Sequence, residues 1–306
     1  MKRDFIDLWN LDPEEAWYIV KRTKEIKKGK EDPGRVLEGK NLALIFTKPS
    51  TRTRVSFEVA INSLGGNSIF LQEKELQLSR GESAQDTART LTKYIDGVIV
   101  RNHSHTWLEE FAKWSGFPVI NALTNKSHPC QVLSDVFTLY ERFGEDIKNL
   151  KIAYVGDGNN VCNTWLVAGG LFGLDLFVAT PESFGPDSYY LQAGLDLSNY
   201  TGGNVYLTTN PVEAVRDADV VYTDVWLSMG DDSEDSKREA LKDFQVNDKL
   251  LSHAKEGVVV MHCLPAKKGE EITPEVFERH SEFIFTQAEN RLHTQKALLE
   301  FIYGHQ

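Results

Sequence analysis

The run Ser50-Thr51-Arg52-Thr53-Arg54 places two guanidinium groups and three hydroxyls in five consecutive positions. The apolar residues 42–46 before it predict a buried strand, and residues 53–64 predict a helix. A helix start directs backbone N–H groups at anions, and an arginine fork matches two phosphate oxygens at once. The run therefore predicts a phosphate-binding turn. The alternative is an ordinary solvated helix start.

Further polar residues directly follow other predicted strands. The strands are 96–100, 117–121, 219–223 and 257–261, and the residues that follow them are Arg101, His128, Asp224 and the pair His262-Cys263. In open parallel sheets, ligands bind outside the carboxyl ends of the strands. One such residue alone is more often structural than catalytic. Together with the Ser50–Arg54 turn, there are five such positions, and together they predict a ligand-binding site.

His128 and Gln131 stand three residues apart at a predicted helix start and therefore share one face. An imidazole and an amide in this position suit a carbonyl oxygen, while the alternative reading is helix capping. A metal site is a further alternative, because several histidines and cysteines are available. They show no accepted zinc spacing, so the sequence predicts no metal; the residues considered are His103, His105, His128, Cys130, His262 and Cys263.

The segment Gly156-Asp157-Gly158-Asn159-Asn160 follows a predicted strand and precedes a predicted helix, as a dinucleotide-binding loop does. Val161 stands where the third glycine of that fingerprint is expected. A nicotinamide-dependent oxidoreductase is thus the alternative from a different class. It leaves the arginine-rich turn unexplained.

The chain contains two successive series of alternating strands and helices. This predicts an α/β fold of two domains, each a parallel sheet flanked by helices. Interdomain helices, the first at 129–143, are expected to join the domains. The predicted domains are residues 1–140 with a C-terminal helix 288–306 packed back on them, and residues 141–287 with a lid loop at 226–241. Near the end we expect helix 274–280, strand 282–285 and helix 290–303.

Charge and composition limit the possible partners. The formal net charge of −11 argues against nucleic acid or an anionic membrane as the main partner, and 41% apolar with 26% charged residues is typical of a soluble globular protein. The sequence shows no run of 18 apolar residues and no secretion-signal pattern at its start. Three scattered cysteines do not suggest a disulfide framework, so the cytoplasm is the expected compartment.

Four motifs in family order make the chain resemble the ornithine carbamoyltransferases, and the tail Ala288-Glu289-Asn290-Arg291 is similar too. The motifs are Ser50-Thr51-Arg52-Thr53-Arg54, His128-Pro129-Cys130-Gln131, Asp224-Val225-Trp226-Leu227-Ser228-Met229-Gly230 and His262-Cys263-Leu264-Pro265. An aspartate enzyme would have proline at Cys263. Enzymes for putrescine or acetylornithine, which are the nearer alternatives, are expected to lack the Ser228-Met229-Gly230 loop.

The resemblance implies transfer of a carbamoyl group from carbamoyl phosphate to the δ-amine of L-ornithine, without metal or cofactor. It implies a catalytic set of Arg52, Arg101, His128 and Cys263. The carbamoyl phosphate set it implies is Ser50, Thr51, Arg52, Thr53, Gln77, Arg101, His128, Gln131, Cys263, Leu264 and Arg291. The implied ornithine set is Asn163, Asp224, Ser228 and Met229.

The resemblance also implies a homotrimer, or a multiple of trimers, in which a neighbouring subunit completes the phosphate site. Gln77 matches the contributed position, although the residues around it differ from the familiar pattern. Arg54 is expected to serve mainly as a structural ion-pair partner. The sequence leaves open whether the enzyme makes citrulline for arginine synthesis or works toward ornithine recovery.

Overall fold

The computed structural model describes residues 2–72, 76, 81–227 and 234–304. The chain divides into two compact units, Met1–Phe137 with Asn290–Gln306, and Thr138–Glu289. Each unit holds one wholly parallel sheet with helices around it. The predicted fold class is therefore confirmed. Within the described residues, no helix has both the length and the apolarity needed to cross a bilayer.

The first unit is built on a four-stranded sheet in the order β2-β1-β3-β4. Its strands are β1 (Asn41–Phe46), β2 (Asn67–Gln72), β3 (Gly97–Arg101) and β4 (Val119–Leu123). Its helices are α1 (Pro13–Lys27), α2 (Thr51–Ser63), α3 (Ala84–Leu91) and α4 (His105–Trp114). Alternate apolar residues of β1, β3 and β4 pack against α3 and α4, and the apolar residues between them are buried on the other face of the sheet. The near-continuous apolar runs therefore reflect a sheet covered on both faces.

The second unit contains a five-stranded sheet in the order β7-β6-β5-β8-β9. Its strands are β5 (Lys151–Val155), β6 (Asp175–Ala179), β7 (Asn204–Thr208), β8 (Val220–Thr223) and β9 (Val259–His262). Its helices are α6 (Asn160–Phe172), α7 (Ser188–Thr201), α8 (Pro211–Val215), α9 (Glu234–Leu241) and α10 (Asp248–Leu251). Helix α6 is buried along nearly its whole length.

Two long helices carry the chain between the units. The boundary falls within α5 (Pro129–Phe143) and again within α11 (Pro274–Tyr303). Helix α5 matches the predicted connector 129–143.

Each sheet has one topological switch point, where successive strands are added first on one side of the initial strand and then on the other. In the first unit, β1 is followed by β2 on one side and β3 on the other; in the second unit, β5 is followed by β6 on one side and β8 on the other. Loops that leave the carboxyl ends of such neighbours diverge and open a crevice, which is where ligands bind in sheets of this type.

The prediction of a strand at 282–285 was wrong, because α11 runs unbroken from Pro274 to Tyr303. Buried positions recur at Ile284, Gln287 and Asn290, which is the spacing of one helix face. Two of these three side chains are polar, so the buried face of the helix does not appear as an apolar pattern in the sequence. The short apolar run at 283–285 then resembles a strand.

The segment predicted as a lid loop, 226–241, is helical in its second half, where α9 spans Glu234–Leu241. Residues 228–233 lie outside the described part of the chain.

Candidate functional site

The first helix turn of α2 is open to an anion. Ser50 is the N-cap residue, with extended backbone, but its hydroxyl makes no capping hydrogen bond. The first turn contains no acidic side chain. The helix start therefore keeps its positive end without an internal counter-charge, and the Ser50 and Thr51 hydroxyls stand beside it.

The two arginines of this turn have different surroundings. Arg52 is exposed and has no hydrogen bond or ion pair with any residue that the structure describes. Arg54 lies 3.6 Å from the centre of the Phe70 ring, and its Nε donates to Glu58 Oε1 at 3.0 Å. Arg52 is thus available for a bound anion, whereas Arg54 is held by the protein, as its predicted structural role requires.

Arg101 lies at the same edge of the sheet as this turn. Its Cα pairs in register with that of Phe46, and the Thr47 N–H donates to the Arg101 carbonyl at 2.9 Å. The strand register thus brings Arg101 to the crevice between β1 and β3, from which the phosphate-binding turn leaves.

His128, Gln131 and Arg291 form a buried polar group in the first unit. All three are at most 5% exposed. Gln131 Oε1 accepts a hydrogen bond from Arg291, and Gln131 Nε2 donates to Asp135 Oδ1 at 2.8 Å. These two partners fix the amide orientation of Gln131.

His128 is an uncharged imidazole in this environment. Burial holds the pKa of His128 well below its ordinary value of 6.5, and the nearby charges of Arg291 and Arg101 lower it further. A neutral imidazole retains one N–H donor and can hold a carbonyl oxygen without adding another buried charge.

Asp224 and Cys263 meet at the carboxyl edge of the second sheet. Thr223 pairs in register with His262, so the residues that follow them emerge side by side. Cys263 Sγ donates to Asp224 Oδ1 at 2.8 Å, and Asn159 Nδ2 donates to Asp224 Oδ2 at 2.8 Å. The Asp224 carboxylate, 5% exposed, is thereby fixed at the crevice between β5 and β8.

Asn159 was not among the predicted site residues. Its Oδ1 accepts hydrogen bonds from the N–H groups of Val161 and Cys162, so it also caps α6. The available sequence signal was its place soon after the apolar run that forms β5. Asn163, which the resemblance places in the ornithine set, accepts a hydrogen bond from the Asp187 N–H at 2.9 Å through Oδ1.

Glu271 is a second residue that sequence reasoning missed. It is fully buried, and its Oε1 lies 2.9 Å from His262 Nε2. The Leu264 N–H donates to His262 Nδ1, so this nitrogen is unprotonated and Nε2 carries the proton toward Glu271. The His262–Glu271 pair holds the turn that presents Cys263. Glu271 is nine residues beyond His262 along the chain, and no spacing rule links them.

The same geometry limits the case for a metal ion. Asp224, His262 and Cys263 have possible ligand atoms within 4.8 Å of one another. However, both ring nitrogens of His262 are already hydrogen-bonded. This leaves two available ligands in the cluster, whereas structural zinc is bound by four.

The loop that suggested dinucleotide binding contacts protein instead. A Cβ on Gly158 would lie 2.2 Å from the Gly185 carbonyl carbon and 2.4 Å from the Pro186 nitrogen. Gly158 therefore permits close approach of residues 185–186. Because Asn159 already caps the α6 N–H groups, the donors that would bind a pyrophosphate are occupied.

The predicted residues therefore fall into two groups. The first unit holds Ser50, Thr51, Arg52, Thr53, Arg101, His128, Gln131 and Arg291, and the second holds Asn163, Asp224, Cys263 and Leu264. Gln77, Ser228 and Met229 lie outside the described residues.

Comparisons with known proteins identify the family. Residues 3–141 match the model of the aspartate/ornithine carbamoyltransferase carbamoyl-P binding domain, and residues 148–302 match that of the Asp/Orn binding domain. The chain belongs to the aspartate/ornithine carbamoyltransferase family.

Relatives within this family resemble the chain over its full length. Ornithine carbamoyltransferase of Aquifex aeolicus is 69% identical over 303 residues, which cover 99% of this chain and 98% of the relative. The enzyme of the same name from Pyrococcus horikoshii is 47% identical, with 99% and 96% covered. The ornithine carbamoyltransferase structure from Pyrococcus furiosus aligns with a TM-score of 0.93 at 47% identity, covering 99% of this chain and 97% of that one.

The family descriptions divide the chain much as its two units do. The carbamoyl-P binding domain contains the Ser50–Thr53 turn, Arg101, His128 and Gln131, and the Asp/Orn binding domain contains Asp224 and Cys263. Arg291 falls within the second domain model although it lies in the first compact unit, because the end of α11 belongs to that unit.

The neutral state of His128 predicts a part of the protein's acid sensitivity. A group whose pKa is lowered by folding binds fewer protons in the folded than in the unfolded chain, so stability falls as pH drops below 6.5 toward the lowered value. We expect His128→Asn to lose less stability than the wild type between about pH 8 and about pH 5. Denaturant midpoints at both pH values measure this.

The other histidines with lowered pKa values, His105 and His280, are present in both proteins and cancel in the comparison. Equal acid losses in the two proteins would contradict a neutral, buried His128.

Proposed function

We propose that this protein is an ornithine carbamoyltransferase, which transfers the carbamoyl group of carbamoyl phosphate to the δ-amine of L-ornithine and releases L-citrulline and phosphate. The observation that carries the proposal is the fixed Asp224–Cys263 pair at the crevice of the Asp/Orn binding domain. A buried carboxylate there suits an amino-acid acceptor with a free α-ammonium group. Relatives from Aquifex aeolicus and Pyrococcus horikoshii carry the same name.

The donor would bind through its phosphate at the start of α2. The guanidinium of Arg52, the first N–H groups of the helix and the hydroxyls of Ser50, Thr51 and Thr53 supply donors for three phosphate oxygens. The positive end of the helix adds to the attraction. Gln77 of a neighbouring subunit would complete this site.

The carbamoyl end of the donor would lie against Arg101 and His128. Attack by the amine moves negative charge onto the carbonyl oxygen, and preorganised donors stabilise that charge most where water is excluded. His128 is buried and neutral, so it donates one hydrogen bond. Gln131, held by Arg291 and Asp135, would contact the carbamoyl amide group, and Leu264 would contribute its backbone.

The acceptor would bind through both ends of its carbon chain. Asp224 would pair with the α-ammonium, and Asn163, Ser228 and Met229 would hold the remaining α-substituents. Cys263 would lie near the δ-amine, which must lose a proton before it attacks. Since Cys263 Sγ–H donates to Asp224, the sulfur lone pairs remain able to accept from an amine N–H.

An acceptor panel tests the reaction. With carbamoyl phosphate as donor, we expect the purified protein to carbamoylate L-ornithine about 10- to 100-fold more efficiently than putrescine, acetylornithine, aspartate or lysine. Putrescine lacks the carboxylate and acetylornithine lacks the free ammonium, and a buried polar partner left unpaired typically costs about 1–3 kcal/mol. Colorimetric ureido assay and phosphate release measure the products. Preference for another amine would reject ornithine as the substrate.

Substitutions at Arg52 and Asp224 should each impair the use of a different substrate. We expect Arg52→Ala to lower kcat/KM for carbamoyl phosphate by about two to three orders of magnitude, because it removes a charge that faces the leaving phosphate. Asp224→Asn should raise KM for ornithine about tenfold or more, a cost of ~1.4 kcal/mol, and change KM for carbamoyl phosphate little. Steady-state kinetics with each substrate varied separates the effects.

Arg54→Ala is the matched control for the arginine. Its guanidinium stacks on Phe70 and pairs with Glu58, so its loss should lower stability by ~1 kcal/mol and activity far less than Arg52→Ala. Equal activity losses at both arginines would remove the distinction between them. Equal KM changes for both substrates in Asp224→Asn would remove the residue's assigned role.

We also propose a homotrimer in which Gln77 reaches the neighbour's phosphate site. The support is a cavity of about 680 Å³ beside the α2 turn, lined in part by Pro49, Val55 and Phe70. Val55 and Val59, one turn apart on α2, are exposed apolar side chains beside this cavity. Such a patch is typical of a covered interface.

Mixed assembly tests the shared site. Two weakly active variants, Arg52→Ala and Gln77→Ala, are unfolded and refolded together, and we expect the mixture to regain activity that neither shows alone. One wild-type Arg52 and one wild-type Gln77 then meet at some interfaces. Light scattering should give three subunits per particle, or a multiple of three. A monomeric mass, or a mixture no more active than its parts, would reject the shared site.

We propose a cytoplasmic location, because Cys130, Cys162 and Cys263 form no disulfide and Cys263 must stay reduced for its role. Cell fractionation tests it. A relative from Campylobacter jejuni, whose structure aligns with a TM-score of 0.94 at 40% identity over both full chains, is described as anabolic. By analogy we propose that this enzyme works in arginine synthesis.

A further inference from the structure

A buried ion pair lies beside the acceptor half of the proposed site and has no role in the mechanism above. Lys237 Nζ, on α9, is 2.7 Å from Asp157 Oδ2, and the two side chains are only 10% and 6% exposed. Lys237 Nζ also lies 5.8 Å from the centre of the Phe184 ring. A buried lysine is rare unless it is paired, so this contact is a built feature of the unit.

The loop that carries Asp157 is held from several sides. The Tyr154 hydroxyl donates to the Asp157 carbonyl at 2.9 Å. Gly158 N–H donates to the Phe184 carbonyl at 2.9 Å, and residues 185–186 pack directly on Gly158. Contacts with residues 184–186 thus fix the backbone at Gly158, while Lys237 holds the Asp157 side chain.

This loop is continuous with the group that orients Asp224. Two residues after Asp157, Asn159 donates from Nδ2 to Asp224 Oδ2 at 2.8 Å. The Tyr154 hydroxyl also lies 3.3 Å from Asn159 Oδ1. A displacement of residue 157 would therefore move the amide that sets the position of the Asp224 carboxylate.

From this geometry we infer that Lys237 and Asp157 are positioning residues for the acceptor site, acting through Asn159 on Asp224. The inference rests on the proposed function, since it assigns Asp224 to the α-ammonium of ornithine. The ion pair connects α9, which follows the segment with the predicted ornithine contacts Ser228 and Met229, to the loop after β5.

The charges of the pair also fit an acceptor that is itself cationic. Asp157 without Lys237 would be a second carboxylate next to Asn159 and would compete with Asp224 for the amide donor. Lys237 without Asp157 would be an uncompensated buried cation in the unit that holds Asp224, and like charges repel strongly where the dielectric constant is low, which disfavours a cationic substrate there. With the pair intact, Asp224 is the carboxylate that faces the ligand.

Three variants test the inference: Lys237→Met, Asp157→Asn and the double variant. We expect each to raise KM for L-ornithine by about tenfold, while KM for carbamoyl phosphate stays within about twofold, because the phosphate-binding turn at Ser50–Thr53 and Arg101 lie in the other unit. The double variant separates position from stability. Removing both members of a buried pair restores much of the stability that a single removal loses, but it does not restore the tether to α9, so KM for ornithine should stay raised.

Lys242→Met is the matched control, since Lys242 pairs with Glu239 at the exposed end of the same segment. We expect it to leave both KM values unchanged. Thermal unfolding of all four variants gives the comparison. Lower unfolding temperatures with normal KM for ornithine, or a normal KM in the double variant, would mean that the pair only stabilises the fold, and would overturn the inference.

The wild type separates this inference from the proposed function. If the wild type forms no citrulline from ornithine, the function itself fails. If the wild type forms citrulline and the variants keep its KM for ornithine, only the positioning role fails.

Discussion

The site residues depend on the register of parallel strands at two crevices. Phe46 pairs with Arg101 in the first sheet, and Thr223 pairs with His262 in the second. Parallel strands end at one edge, and where the order of strands reverses, the loops that follow them part and leave room for a ligand. A shift of one residue in either pairing would turn Arg101 or Asp224 to the opposite face of its sheet. The buried apolar runs that set the register therefore also place the polar groups.

Electrostatics then separates two kinds of positive charge in an acidic protein. Arg52 is exposed and unpaired among the described residues, so it is ready for an anion at little desolvation cost. Arg291 is buried and hydrogen-bonded to Gln131; burial lowers the pKa of His128, and the charges of Arg291 and Arg101 lower it further. Arg291 and Arg101 thus shape the hydrogen-bonding group around His128, whereas the exposed Arg52 supplies the charge for phosphate.

Sequence reasoning succeeded where chemistry follows the end of a strand. The two-domain fold and the family were predicted from alternating elements and from motifs such as Ser50–Arg54, and both are confirmed. It failed where a functional contact joins distant residues. Glu271 contacts His262 because a loop packs there, and no sequence spacing links the two residues. Helix α11 buries the polar residues Gln287 and Asn290, so its buried face leaves no apolar pattern in the sequence.

The glycine-rich loop after β5 shows why such a pattern needs its surroundings. In a dinucleotide site the second glycine admits a pyrophosphate, but here Gly158 admits the backbone of residues 185–186. The helix N–H groups that would bind phosphate are capped by Asn159, whose other amide atom holds Asp224. The same strand–loop–helix unit thus orients the Asp224 carboxylate and does not bind a cofactor. In that fingerprint the third glycine lets the helix pack closely on the strand, and here the position is filled by Val161, whose side chain is buried.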